Sequence, residues 1–230
     1  MAKTVNGLSQ LLNYLVNIPD SSGSRIPPLN ELSKELQISI ATLREQLEVA
    51  RVLGIVEVKP KTGIHKNNFS FYQAIKPGLD YAVMDDVTNF QHFAGLRKHL
   101  ESAYFVEAAQ SLSLAELNSL ENLVQSALTK IEGSPIQLPN EEHRDFHMKI
   151  FANIENPFLQ GLLETYWDLY HFHDFEYYPD HDYLLRVWHY HMRIIEQVKN
   201  RNFTQALALL IEHMDLLKQR EKVVPRLSFE

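Results

Sequence analysis

Residues 26–65 constrain the fold of this chain more than any other segment, because two helix signals are separated there by a very short turn. The first helix signal covers about 30–36 and the second about 39–53. A β-rich piece at 55–58 and a turn at 59–63 follow. Two helices joined by a three- to four-residue turn and followed by a hairpin predict a winged helix-turn-helix, the layout of many DNA-binding domains.

The apolar residues of this segment recur at helical spacing, so that each helix has one stripe to bury. The stripes are Leu29, Leu32 and Leu36 in the first helix and Leu43, Leu47 and Ala50 in the second. Ser39 is placed to cap the second helix, and Gly54 is placed to end it. A small helical bundle with an appended hairpin is the alternative, and the shortness of the turn favours the winged helix-turn-helix.

The start of the second helix and the turn of the hairpin carry the side chains that we expect to contact DNA. Side chains that read base edges belong near the start of such a helix, and cations in the wing suit phosphates. The predicted DNA-binding residues are Ser39, Thr42 and Arg44 in that helix, Lys59, Lys61, Thr62 and Gly63 in the turn of the hairpin, and Arg25 ahead of the first helix.

The distribution of charge along the chain is compatible with that prediction, although the formal net charge is −7. Residues 1–70 hold eight Lys or Arg against six Asp or Glu, a net charge of +2, and the remaining residues carry −9. Local charge, and not the total, determines attraction to phosphates. Because +2 is modest, we expect affinity to depend on two such domains acting together in a homodimer on an inverted-repeat operator in double-stranded DNA.

Bulk properties restrict the class further. A length of 230 residues suggests one or two domains, and the absence of cysteine fits a reducing cytosol without disulfides or thiolate metal sites. No segment approaches eighteen consecutive apolar residues, and the N-terminal MAKTVNGLSQ lacks the apolar core of a signal peptide. We therefore predict a cytoplasmic protein with no membrane partner.

The rest of the chain shows helical signals and no alternating strand pattern. Predicted helices cover about 80–110, 114–131, 140–153, 156–176, 181–199 and 203–223. The fold class is therefore mainly α, with an N-terminal winged helix-turn-helix and a C-terminal all-α bundle. The predicted domains are 1–68 for DNA binding, a linker at 69–79, and 80–225 for effector binding and dimerisation.

Histidines are concentrated in the second predicted domain, where ten of the eleven lie after residue 90. His143 and His147 are four residues apart on one helix, so their imidazoles point the same way. His191 and His213 lie on the last two helices. Imidazoles brought together from facing helices suit a divalent metal, zinc or nickel above all. A pair at this spacing is also common as a surface or core coincidence, and that alternative stays open.

The N-terminal segment resembles the DNA-binding domain of GntR-type bacterial transcription regulators over about residues 7–66. The resemblance is carried by Ile26-Pro27, Leu32-Ser33, Ile38-Ser39, Thr42-Leu43-Arg44-Glu45 and Gly54-Ile55-Val56. It departs at two positions. Ile40 stands where members of the FadR-like branch usually carry an Arg that contacts DNA, and Asn30 stands where another Arg is common. The resemblance therefore implies weaker direct base discrimination at the step that Ile40 faces.

The remainder resembles the FCD effector domain, the all-helical module of many FadR-like regulators, over about residues 80–220. The matching motifs are Arg97-(x3)-Glu101, Asp145-Phe146-His147 with Asn156-Pro157, His191-Met192-Arg193-Ile194-Ile195, and Ala206 with Glu212-His213-Met214. Many members bind a divalent metal through one Asp and three His. By register the three His positions are His147, His191 and His213, and His143 stands in place of the Asp.

This replacement leaves three possibilities: a four-histidine site, a three-histidine site completed by water, or no metal. Asp145 cannot replace the missing carboxylate simply, because it lies about 200° around the helix from His143. With imidazole in place of carboxylate, the net charge of a liganded metal rises by one, which favours an anionic ligand and disfavours hard ions.

The resemblance implies a small organic acid as effector. Arg97 would grip its carboxylate, or would instead pair with Glu101.

Two other functions remain open from the sequence. A metal-dependent enzyme would use the histidines to hold a catalytic ion, but the stretch from His143 to His147 lacks the Glu of a helical zinc-protease motif. A regulator that has lost its effector would act through dimerisation and DNA alone. The leading interpretation is a DNA-binding transcription regulator, not an enzyme, whose operator binding responds to a small carboxylate in a metal-containing helical domain.

Overall fold

The structure, a computed structural model, describes residues 7–18, 24–174 and 181–221, without the side chains of 172–174 and 217–221. The chain divides into two compact units, Met1–Met84 and Asp85–Glu230. No helix among the described residues is long and apolar enough to cross a membrane.

The first unit is a winged helix-turn-helix, as predicted. Its elements are α1 (Gln10–Asn17), α2 (Leu29–Leu36), α3 (Ile40–Val52), β1 (Val56–Lys59), β2 (Gly63–Lys66) and most of α4 (Phe71–Asp85). The two strands are antiparallel, with Val56 opposite Lys66 and Lys59 opposite Gly63. Helix α1, which was not predicted from the sequence, contributes Leu11 and Leu15 to the core of this unit.

The turn between α2 and α3 is short because its backbone reverses at a single left-handed residue. Gln37 has φ 54°, and the next amide, that of Ile38, donates to the carbonyl of Ser33 over 3.2 Å. Ser39 then starts α3, since its Oγ accepts a hydrogen bond from the backbone N–H of Thr42 at 3.0 Å. The predicted cap is confirmed, and it fixes which residues form the first turn of α3.

The end of α3 is a Schellman motif centred on Gly54. Gly54 has φ 70°, its N–H donates to the carbonyl of Arg51 at 3.0 Å, and the N–H of Ile55 donates to the carbonyl of Ala50 at 2.9 Å. A Cβ on Gly54 would lie 2.2 Å from Oε1 of Gln73 on α4. Both the backbone angle and the space at this position therefore require glycine, which confirms the predicted helix stop.

The segment 69–79, predicted as a linker, lies largely within helix α4. Pro77 is inside this helix, and Pro77-Gly78 therefore does not mark a break, as the sequence analysis had expected. A proline removes only one backbone hydrogen bond and tolerates helical φ, so neighbouring turns can carry the helix through it. The boundary between the two compact units falls after Met84.

The second unit is all-helical. Its elements after α4 are α5 (Thr88–Ser111), α6 (Leu114–Glu132), α7 (Asn140–Ile150), α8 (Pro157–Asp174), α9 (His181–Lys199) and α10 (Phe203–Glu221). Five of these agree with the predicted helices at their starts to within a residue, and α5 begins later than predicted because α4 occupies the residues before it. Side chains from all six helices form one buried core, with Phe105, Phe146 and Trp188 among its large members.

Candidate functional sites

The exposed start of α3 is the candidate DNA-reading surface. Ser39, Thr42 and Arg44 are all exposed, as a base-contacting role requires. The hydroxyls of Ser39 and Thr42 lie 2.9 Å apart and bond to each other. Arg44 forms no ion pair with any residue in the described part of the chain, whereas Arg51 at the other end of α3 bonds Glu48 at 2.6 Å. Arg44 is thus the cation of this helix left available for a ligand.

The wing carries the other predicted DNA contacts. Lys61 is at the tip with φ 69°, and Thr62 follows it, with its hydroxyl 3.2 Å from Nε2 of His65. Arg25 forms an isolated β-bridge with His65, and its Nε lies 3.2 Å from where a Cβ of Gly63 would be. The wing therefore gathers Arg25 and Lys61 at one turn, while Lys59 is already paired with Glu57.

Four histidines converge in the interior of the second unit. His143 and His147 come from α7, His191 from α9 and His213 from α10. Three of them are buried, and His143 is partly buried. The i, i+4 spacing turns the two α7 rings toward the same side, and the antiparallel pair α9 and α10 supplies the other two. The structure thus brings together all four residues that the sequence analysis had named as metal ligands.

The geometry of the cluster suits a metal ion. Nε2 of His213 lies 3.2 Å from Nε2 of His147, 3.2 Å from that of His191 and 3.5 Å from that of His143. Nε2 of His191 lies 3.3 Å from that of His147. Nitrogens bound at about 2.0–2.1 Å to one tetrahedral ion lie about 3.3–3.4 Å apart. All four ligand atoms are within 4.8 Å of one another.

The chemistry of the rings suits a metal as well. Burial, reinforced by neighbouring charges, lowers the pKa of His143, His147, His191 and His213 well below its ordinary value. The rings are therefore neutral, which is the form that binds metal. Nδ1 of His191 and Nδ1 of His213 are buried without a hydrogen-bond partner among the described residues. Such atoms each cost about 1–3 kcal/mol, a cost that metal bonds at the Nε2 atoms would offset.

The second ring nitrogen of His147 faces a buried carboxylate. Nδ1 of His147 lies 2.9 Å from Oε2 of Glu101. An Nδ1–H that donates to this carboxylate leaves the lone pair of Nε2 directed at the other histidines. Nη2 of Arg97 is also 2.9 Å from the same Nδ1. Because a protonated Nδ1 cannot accept, Glu101 is the partner of His147 in the tautomer that binds metal through Nε2.

Arg97 is held in place from several sides. Its Nε donates to Oε1 of Glu101 at 2.5 Å, and its guanidinium carbon lies 4.3 Å and 4.4 Å from the ring centroids of Tyr166 and Trp167. Burial raises the pKa of Glu101, and the Arg97 ion pair opposes that rise. Of the two roles that the sequence left open for Arg97, the pairing with Glu101 is present in this structure.

A cavity of about 30 Å³ adjoins the cluster. It is lined by Ala94, Arg97, His143, Tyr166, Tyr170, Tyr183, His213 and Met214. Two cluster histidines and Arg97 thus share one small cavity with three tyrosines. Burial raises the pKa of Tyr166 to about 12, so its phenol is protonated at neutral pH.

Sequence reasoning missed several of these residues. The role of Glu101 beside His147 and the place of Tyr183 in the cavity were not identified, although the four-residue spacing of Arg97 and Glu101 was a signal for the first. His171 places Nε2 3.0 Å from the backbone oxygen of Asn140 and so ties α8 to α7. Asp145 is exposed and contacts Arg144, away from the cluster.

Together, a winged helix-turn-helix and a helical unit with a buried histidine cluster beside a cavity define a DNA-binding transcription regulator. The FCD domain family matches residues 93–216, more than half of the chain. The chain therefore belongs to the FCD-domain regulators of the FadR-like branch of the GntR family.

Several proteins are similar to this chain. The uncharacterized HTH-type transcriptional regulator YcbG of Bacillus subtilis is 23% identical over 92% of this chain and 88% of its own length. The Uxu operon transcriptional regulator of Escherichia coli is 23% identical over 69% of this chain and 61% of its own length. A solved structure, Streptococcus agalactiae GntR, has a TM-score of 0.67 at 18% identity and covers 92% of this chain and 96% of that one. The first two are named as transcriptional regulators, and the enzyme alternative is not favoured.

Proposed function

We propose that this regulator binds an inverted-repeat operator as a homodimer and that a small carboxylate, held beside a metal on the four histidines, controls the binding. The cavity is the observation that carries the proposal, because His143, His213 and Arg97 all line it. An anion there would contact the metal site and a cation at once. Since the chain reads DNA, its site of action is the cytoplasm.

The DNA-binding part of the proposal rests on Arg44 and the wing. Arg44 is exposed near the start of α3, where its guanidinium can reach the edge of a guanine. Lys61 and Arg25 lie at the wing turn, where they can contact phosphates. One α3 reads only a few base pairs, and a two-fold dimer doubles the contact and requires an inverted repeat.

The metal-binding part rests on four neutral imidazoles. His143, His147, His191 and His213 would hold one divalent ion through Nε2, and zinc or nickel suits this donor set better than manganese or magnesium. Glu101 would orient His147 by accepting its Nδ1–H. Bound there, the ion would supply a Lewis-acidic centre for an anion.

The effector-binding part rests on the charges around the cavity. Arg97 and Glu101 neutralise each other, and four neutral histidines leave both charges of a divalent ion uncompensated. A buried charge of this size requires an anion. The cavity of about 30 Å³ admits only a small group, and Tyr166, Tyr170 and Tyr183 line it beside Arg97, so the proposed effector is a compact carboxylate.

Selection from a random duplex pool tests DNA binding. We expect an inverted repeat bound more tightly than about micromolar at physiological salt. Arg44→Ala should weaken binding of the selected duplex by about ten-fold or more, whereas Arg51→Ala, which removes a cation already paired with Glu48, should leave it unchanged. Lys61→Ala should reduce the slope of log K against log salt by about one unit. Failure to select any duplex would refute the function.

A second experiment tests the effector and the metal. Small mono-, di- and tricarboxylates are screened for a shift in affinity for the selected duplex, with zinc-loaded and chelator-stripped protein in parallel. We expect at least one acid to shift the affinity of the zinc-loaded form only. Protein that takes up neither zinc nor nickel at neutral pH, or acids that act equally on both forms, would contradict the proposed site.

A further inference from the structure

Ile40 is an apolar side chain in the first turn of α3, the part of the helix that we expect to face DNA. It is the first residue of the helix, directly after the Ser39 cap. The residues at the start of a recognition helix are those that reach base edges in the major groove. Ile40 and Arg44 are four residues apart, so the two side chains lie on neighbouring positions of one helix face.

The side chain of Ile40 is exposed to 37%, and it is outside the core of the first unit as far as the structure describes that unit. The helical repeat places Ile40 near the stripe of Leu43 and Leu47. The alternative to a DNA contact is therefore that Ile40 is the last core residue of that stripe. Leu43 is fully buried, however, and Ile38, before the cap, packs against the core. Ile40 lies beyond the point where this core ends.

The polar neighbours of Ile40 have limited freedom to read bases. Ser39 Oγ accepts the N–H of Thr42, and the two hydroxyls share a further hydrogen bond of 2.9 Å. Only one of the two hydroxyl hydrogens is therefore left for a base. Ala41 is also exposed and apolar. The first turn of α3 thus presents a small apolar surface between its cap and Arg44.

Only one base edge in the major groove offers an apolar group, the C5 methyl of thymine. Guanine and cytosine opposite Ile40 would lose water from a polar atom without gaining a hydrogen bond. We propose that Ile40 is a specificity-determining residue that reads a thymine C5 methyl in each half-site. The inference rests on the proposed operator binding and specifies the base at one step of it.

Deoxyuridine tests this directly, because it differs from thymidine only by the methyl group. Each thymine of the selected duplex is replaced in turn, symmetrically in both half-sites, and affinity is measured for wild-type protein and for Ile40→Ala. Removing one methyl contact costs about four-fold, and the symmetric pair costs about fifteen-fold. We expect this loss at one pair of positions with wild-type protein and no loss there with Ile40→Ala.

Val49→Ala is the matched control, since Val49 is an exposed apolar residue of the same helix, 53% accessible and about 180° around the axis from Ile40. It should retain the full uridine effect. Ile40→Val keeps a branched apolar side chain and should retain most of it, which guards against a fold defect in Ile40→Ala.

The outcomes separate the inference from the function on which it rests. If no duplex is selected, both fail. If a duplex is selected and Arg44→Ala weakens its binding, but every uridine substitution affects wild type and Ile40→Ala equally, the inference alone is overturned. Replacement of the thymine by 5-methylcytosine, paired with guanine, should recover part of the methyl contact, and unmodified cytosine should not.

Discussion

Oε2 of Glu101 lies 2.9 Å from Nδ1 of His147, and both side chains are fully buried. This contact joins the opening helix of the FCD domain, α5, to the helix that carries two of the four clustered histidines. It also decides the tautomer of His147, since a carboxylate can only accept a hydrogen bond from Nδ1. The arrangement is the carboxylate–histidine pair that commonly orients metal-ligating imidazoles.

Glu101→Gln is therefore expected to weaken metal binding by about 10–100-fold, the usual loss when such a partner is removed. The amide keeps the size of the side chain but lowers the basicity of His147, and it leaves Arg97 without its counter-charge. Competition for zinc against a chelator of known affinity measures the effect.

Glu107→Gln is the control for Glu101→Gln, because Glu107 is an exposed carboxylate on the same helix. It should bind zinc as the wild type does. Equal zinc affinity in Glu101→Gln and Glu107→Gln would show that the contact with His147 is only structural.

The sequence predicted the helix-turn-helix well because its signals are local. Ser39 and Gly54 determine the two ends of α3 through their own backbone and side-chain geometry, whatever the rest of the chain does. Local signals also predicted a break at Pro77-Gly78, because both residues disfavour a helix. That prediction was wrong, since the observed helix α4 continues through them.

The candidate site was predictable only in part. The spacing of His143 and His147 shows that they share a face, and family register was needed to add His191 and His213. Spacing alone also shows that Arg97 and Glu101 share a face of α5, but not which helix that face meets. The contact of Glu101 with His147 depends on how α5 packs against α7, which no local pattern encodes.

His143→Asp is expected to change which metal the cluster prefers. It restores the carboxylate that the family usually has at this position, lowers the net charge of a loaded site by one, and adds a hard oxygen ligand. Manganese affinity should rise relative to that of nickel. Competition titrations with the two metals, read by elemental analysis, measure the ratio, and an unchanged ratio would exclude His143 from the ligand set.

Acidification is expected to destabilise the metal-free protein below about pH 6.5, the ordinary pKa of histidine. Burial lowers the pKa of the clustered histidines in the folded chain, so between that pKa and 6.5 only the unfolded chain binds the protons. The contribution of these histidines to the free energy of unfolding is therefore complete above pH 6.5. As the pH is lowered below 6.5, it decreases by about 1.4 kcal/mol per pH unit for each such histidine. Urea unfolding at pH 7.5, 6.5 and 5.5 measures this fall.

Two variants assign the pH effect to the cluster. His213→Gln removes one buried titrating ring and should reduce the slope, and His92→Gln, which changes an exposed ring, should not. Glu101 has a raised pKa, which gives the opposite trend. His213 is one of the groups that lower this pKa, so His213→Gln raises it further and adds to the reduction in slope. Identical slopes in the two variants would locate the effect outside the cluster.

Gly54→Ala is expected to destabilise the first unit. Alanine at φ 70° costs about 1–2 kcal/mol, and its Cβ would also lie 2.2 Å from Oε1 and 2.7 Å from Cβ of Gln73. Thermal unfolding should show a lower Tm. Adding Gln73→Ala removes the Oε1 clash and should recover part of the loss, while the backbone strain and the Cβ contact remain.

Gly78→Ala is the control for Gly54→Ala. Its new Cβ meets no atom within 4 Å, and alanine inside α4 should stabilise that helix by about 1 kcal/mol. If Gly54→Ala and Gly78→Ala shifted the Tm in the same direction, the end of α3 would not depend on the left-handed glycine, and the start of the wing would need another explanation.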